Sequence, residues 1–118
     1  MRQLLDHERP IVEYLFDQAK LQLNIEELYV TPMLDGGMGS LALGANYESR
    51  SLGRELAECH FIDADDVPVS VTLNADSNGD PYEVDVWKVN FQPTIRWPTR
   101  DQVHLGPPST SPERPRGR

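Results

Sequence analysis

From Val67 to Phe91 the chain alternates apolar and polar residues, turns once, and runs back. Val67, Val69, Val71, Leu73 and Ala75 fall on one side of a two-residue repeat and Pro68, Ser70, Thr72 and Asn74 on the other. That pattern predicts a half-buried strand with one dry face. Asn78-Gly79 follows, and both residue types tolerate the positive φ of a tight hairpin turn, so residues 82–91 are expected to return antiparallel.

A dry sheet face needs a second apolar layer, and the N-terminal segment supplies one. Ile11, Val12, Leu15, Phe16, Ala19 and Leu23 share one face of a 3.6-residue repeat, predicting a helix over residues 7–22 with Pro10 in its first turn and Asp6 as N-cap. Residues 54–63 read as a further strand, joined to the Val67 strand by the acidic turn at 63–68. Two weaker strands, 28–34 and 40–47, flank the turn Asp35-Gly36-Gly37-Met38-Gly39. The expected fold class is α+β: an N-terminal helix packed on a four- or five-stranded antiparallel β-meander sheet. Residues 1–105 form the single domain. Residues 106–118, rich in Pro and Arg and without a large apolar side chain, are expected to be a disordered tail.

At 118 residues there is room for one core. Residues 1–105 carry 8 basic and 18 acidic side chains, and the whole chain has net charge −8, which repels phosphate backbones and anionic lipid surfaces. Nucleic acid and membrane are therefore expected not to be partners. The N-terminal segment carries carboxylates, unlike a targeting peptide, and the single cysteine, Cys59, suits a reducing compartment. A cytoplasmic location is expected.

Few residues invite chemistry. The glycine-rich turn at 35–40 lacks the lysine and spacing of a phosphate loop and sits between strands, so it reads as a turn that needs positive φ. Asp76, Asn78 and Asp80 alternate like calcium ligands, but Gly79 and Pro81 stand in the wrong places for an EF-hand. Cys59 and His60, adjacent on a strand, point to opposite faces and form no dyad; Cys59 shares its face with Ala57 and Phe61 and reads as a structural thiol. The histidines at 7, 60 and 104 are too scattered to suggest a metal triad. Neither a catalytic set, a metal site nor a cofactor is expected.

In the last strand Glu83, Asp85, Trp87, Val89 and Phe91 point one way and Tyr82, Val84, Val86, Lys88 and Asn90 the other, so neither face is purely apolar. One reading is a twisted central strand with Trp87 and Phe91 in the core and the acids in water. The other is a contact patch of Glu83, Asp85, Trp87 and Lys88, to which the acidic turn Asp63, Asp65 and Asp66 is added. Trp is favoured at binding hot spots, and carboxylates steer a basic partner.

The blocks DGGMGSL at 35–41, VPVSVTLNAD at 67–76 and YEVDVWKVNF at 82–91, with the RPIVEYL helix before them, resemble a family of small bacterial domains of unknown function. The likeness covers most of residues 1–97 and implies no role for any residue. In size, acidity and lack of catalytic motifs the chain also resembles, in general form only, the immunity proteins that neutralise bacterial toxins. The expected function is non-enzymatic: an immunity or antitoxin-like domain that binds a protein, for instance a basic toxin. Two other readings stand beside it, a small-molecule pocket or minor enzyme where Tyr14, Tyr47, His60 and Trp87 converge between helix and sheet, and a homodimer through a strand edge.

Overall fold

A computed structural model describes residues 1–108; the greater part of the stretch expected to be disordered, residues 109–118, lies outside the described residues. A 3₁₀ turn at Asp6–Glu8 leads into helix α1, Arg9–Gln18. Six strands follow: β1 (Val30–Pro32), β2 (Leu41–Leu43), β3 (Leu52–Ile62), β4 (Pro68–Asp76), β5 (Pro81–Lys88) and β6 (His104–Leu105). They form one antiparallel sheet in the order β1-β2-β5-β4-β3-β6. The α+β class and the β3-β4-β5 meander agree with the sequence reading, but the sheet has six strands rather than four or five. The extra one, β6, pairs only Leu105 with Cys59 and His104 with His60, a span too short to show any repeat.

α1 lays Ile11, Val12, Leu15 and Phe16 against the dry face of β3 and β4. There they form one cluster with Cys59, Phe61, Val69, Val71, Leu73, Val84 and Val86. Each of these is nearly or wholly inaccessible to water, and every buried side chain of this size contributes about 1.5–3 kcal/mol relative to its exposed state. The central strands are more buried than a half-dry ribbon: Ser70 and Thr72, on the other side of β4, are also covered.

The helix begins and ends differently from its sequence signals. Asp6 makes no capping bond; instead Glu8, three residues on, accepts the Leu5 N–H at 2.9 Å and pairs with Arg2 at 2.9 Å. At the other end Leu21 N–H donates to Phe16 O and Lys20 N–H to Asp17 O, closing the helix four residues before the expected boundary at 22. That closure puts Lys20 at φ +59°, the left-handed region where a Cβ is unfavourable.

The two glycine turns are held by their own aspartates. Asp35 accepts the N–H groups of Gly39 and Ser40, while Gly36, Gly37 and Gly39 all take positive φ. Asp76 Oδ1 accepts the N–H groups of Asn78 and Asp80, and its Oδ2 pairs with Arg50 Nε at 2.9 Å. In this second turn only Gly79 has positive φ, so the hairpin is a longer turn with a left-handed glycine rather than a two-residue one.

Replacing Lys20 by Gly removes the Cβ penalty without touching a contact. Urea unfolding followed by circular dichroism is expected to show Lys20→Gly more stable by about 0.5–1 kcal/mol, whereas Lys20→Ala leaves the left-handed strain in place.

Candidate functional site

Since α1 occupies one face of the sheet, strand register decides what lies on the other. Three cross-strand rows stand there: His104, His60, Ser70 and Trp87; then Glu58, Thr72 and Asp85; then Glu55, Asn74, Glu83 and Ala42. They bring together four carboxylates from β3 and β5 and hold no lysine or arginine. No helix among the described residues covers this face.

The carboxylates differ in depth. Glu55 is exposed and Glu58 half-buried, whereas Glu83 and Asp85 are only 5% and 3% accessible and form the floor. Glu83 receives the Tyr47 hydroxyl at 2.6 Å and the Asn74 amide at 2.9 Å. Tyr47 reaches it from the 3₁₀ turn Tyr47–Ser49, stacked on Tyr82 at 4.4 Å, with the Arg50 guanidinium over the Tyr82 ring. Burial first, and then the hydrogen bond to Glu83, push the Tyr47 phenol well above its usual titration range, so it remains a donor. Ser40 Oγ lies 3.4 Å from Asp85 and accepts the Val86 N–H at 2.9 Å; Ser70 donates to Glu58 at 3.1 Å. At the far end Trp87 is half-buried with the exposed Phe91 edge-on at 4.9 Å, and its indole N–H is buried with no acceptor among the described residues.

Lys88 lies on the opposite face, level with Val69, and is wholly buried. Its ammonium contacts Asp63 Oδ2 and Asp65 Oδ2, both at 2.8 Å, and Pro93 O at 3.2 Å. Asp63 also accepts the N–H groups of Ala64, Ile95 and Arg96 at 2.7–2.9 Å. Burial alone would raise the Asp63 pKa, but Lys88 and the three backbone donors outweigh it and bring it to about 2, below the ordinary 3.8. Burial likewise opposes the Lys88 charge, and the two aspartates outweigh it and hold its pKa above the ordinary value.

The seven residues expected to form one contact patch therefore divide. Glu83, Asp85 and Trp87 share the polar face; Asp63, Asp65 and Lys88 form an ion cluster at the end of the core; Asp66 sits in the exposed turn with φ +64°. Lys88 and Asp63, fully covered, hold the chain to itself. The four residues of the pocket reading are not gathered between helix and sheet. Tyr14 lies on α1 under the Arg100 guanidinium, His60 and Trp87 share an open-face row, and Tyr47 reaches Glu83 on that same face. Arg96 and Trp97 belong to a strap over the core: Arg96 N–H binds Asp63, and the Trp97 ring meets His7 at 5.4 Å. Glu55, Glu58 and Tyr47 were not singled out with the patch. The strand alternation through Glu58 and His60 placed them on one face, but nothing local marks Tyr47 as the partner of Glu83.

Removing Lys88 leaves the buried Asp63 carboxylate without its cation, so Lys88→Ala is expected to lose about 3–5 kcal/mol in denaturant titration at neutral pH. Asp63, with its pKa lowered to about 2, stabilises the native state fully above about pH 4 and loses that contribution as the pH falls toward 2. Unfolding midpoints across this window should fall for the wild type, and the part of the slope due to Asp63 should vanish in Asp63→Asn.

No curated protein and no solved structure matches this chain. Residues 1–98, which include α1, β1 to β5 and most of the strap, match the family described as a domain of unknown function, DUF6984, and the chain belongs to that family.

Proposed function

We propose that this chain is a non-enzymatic protein-binding domain whose polar, acidic sheet face receives a basic protein, as an immunity or antitoxin-like inhibitor covers the cationic site of a toxin. The observation that carries the reading is the face itself: four carboxylates gathered in adjacent cross-strand rows, with Trp87 and Phe91 at one end. Carboxylates fixed by neighbouring donors need little reordering when a partner arrives, and their field raises encounter rates by roughly 10- to 10³-fold. Past β2 the face continues into an open groove of about 780 Å³ lined in part by Thr31, Met33, Leu34 and Tyr47, a foothold for an apolar side chain. A half-exposed aromatic with an unused indole N–H suits the hydrophobic centre of such an interface. The buried free thiol of Cys59 is compatible with action in the cytoplasm.

The decisive variants lie on the rim, because reversing Glu83 or Asp85 would bury a charge and unfold the domain. Full-length protein immobilised in a lysate of its source cell is expected to retain a basic protein whose association rate falls steeply with salt. Glu55→Lys combined with Glu58→Lys should slow that association at least about tenfold with no change in fold. Equal capture by the reversed variant, or association insensitive to salt, would overturn the reading.

A further inference from the structure

We propose that His60 and His104 form a two-imidazole site for a divalent transition metal ion of the borderline class, for which zinc is the probe. The site lies at the β3–β6 edge, is independent of the protein-binding reading, and depends on a residue beyond the matched family segment.

The pairing of β6 with β3 sets the two histidines directly opposite each other, with ring centroids 5.2 Å apart and planes inclined by 32°. Two imidazoles on one tetrahedral zinc, with Zn–N bonds of about 2.0–2.1 Å, have centroids roughly 5 Å apart, so the spacing already suits a shared ion. His60 Nδ1 lies 2.8 Å from the Gly106 carbonyl oxygen. A carbonyl can only accept, so Nδ1 carries the proton and Nε2 presents its lone pair. A ligating histidine has this same outer-shell arrangement, its second nitrogen tethered to a backbone carbonyl that fixes tautomer and ring orientation. His104 is exposed, and rotation about its side-chain bonds is what would turn a nitrogen toward the same point.

The chemistry narrows the ion. Imidazole nitrogen suits zinc, nickel and copper(II), whereas magnesium and calcium require oxygen donors. No group of three or more His, Cys, Asp or Glu side chains is placed to hold a metal among the described residues, so water completes the coordination and the ion exchanges readily. The nearby Glu58, two residues before His60 on the same face, adds negative potential while its Oε2 accepts from Ser70. The mechanical consequence falls on β6, only two residues long: a bound ion would add a staple to its pairing with β3.

The test uses the full chain without an affinity tag, titrated with zinc chloride and followed by calorimetry and by the imidazole nitrogen resonances. One zinc per chain is expected, with His60 and His104 shifting together, His7 unmoved, and magnesium chloride without effect. His104→Ala, at an exposed position, should weaken zinc binding at least about tenfold, and His7→Ala should leave it unchanged. Zinc should also slow amide exchange in β6 of the wild type and not of His104→Ala. Absence of zinc binding, binding that survives His104→Ala, or a shift confined to one histidine would overturn the proposal.

Discussion

Asp63 draws the Lys88 ammonium and the backbone N–H groups of Ala64, Ile95 and Arg96 onto its two oxygens, and through them it ties three separate parts of the chain. The β3–β4 turn, the end of β5 and the strap that follows β5 meet at this point. Phe91, at φ +66°, turns the chain out of β5, and the strap then returns to place Trp97 against His7 and close beside Gly39. A Cβ on Gly39 would come within 2.5 Å of the Trp97 ring, so the glycine turn and the strap fit only together. Buried ion pairs seldom add more stability than apolar side chains of the same volume. What Asp63 contributes is geometry: a charge that is satisfied in one arrangement of four donors and in no slipped version of it.

With that end of the core closed, one helix serves one face of a six-stranded sheet and the other face must be made compatible with water by its side chains. The central strands do this with short hydroxyls and with acids. Ser70 and Thr72 alternate with Val69, Val71 and Leu73, and Glu83 and Asp85 with Val84 and Val86, so each strand carries a dry edge and a polar edge in one repeat. In the middle of the polar face Glu83 and Asp85 are only 5% and 3% accessible without belonging to the apolar core. Tyr47, Asn74 and Ser40 replace lost water with hydrogen-bonding partners that hold the two carboxylates in place.

The parts of this arrangement legible in the sequence are those written in local repeats. The 3.6-residue stripe from Ile11 to Phe16 and the two-residue alternation through β4 and β5 name the helix, the meander and the residues of each face, and alternation alone separates Lys88 from Glu83, Asp85 and Trp87. Contacts that join distant segments leave no such trace. Lys88 meets Asp63 across 25 residues and Tyr47 meets Glu83 across 36, and neither spacing differs from chance. The same holds for His60 and His104, which read as scattered until a two-residue strand sets them side by side. β1 and β2 are shorter than expected: the glycine turn and its Asp35 cap take the residues between them, and the left-handed Gly44 and Asn46 with the 3₁₀ turn at Tyr47–Ser49 end β2 at Leu43.

The edges of the sheet direct any partner to its face. β1 ends in Pro32, which has no N–H to offer, and Val30 already exchanges both backbone hydrogen bonds with Arg2. On the other side β6 pairs with Cys59 and His60, and the earlier part of β3 has two register shifts with Arg54 and Glu55 beside them. Bulges and charges of this kind resist strand addition, so association by edge-to-edge pairing would have to break structure at either end. Apart from His104 of β6, the rows of the polar face come from β2, β3, β4 and β5, all inside the segment shared with the family, whereas β6 lies beyond it. A docking face is thus a property the family can hold in common, and a histidine-bound ion at the β6 edge would be this chain's own addition, bracing the one strand that closes the row ending in Trp87.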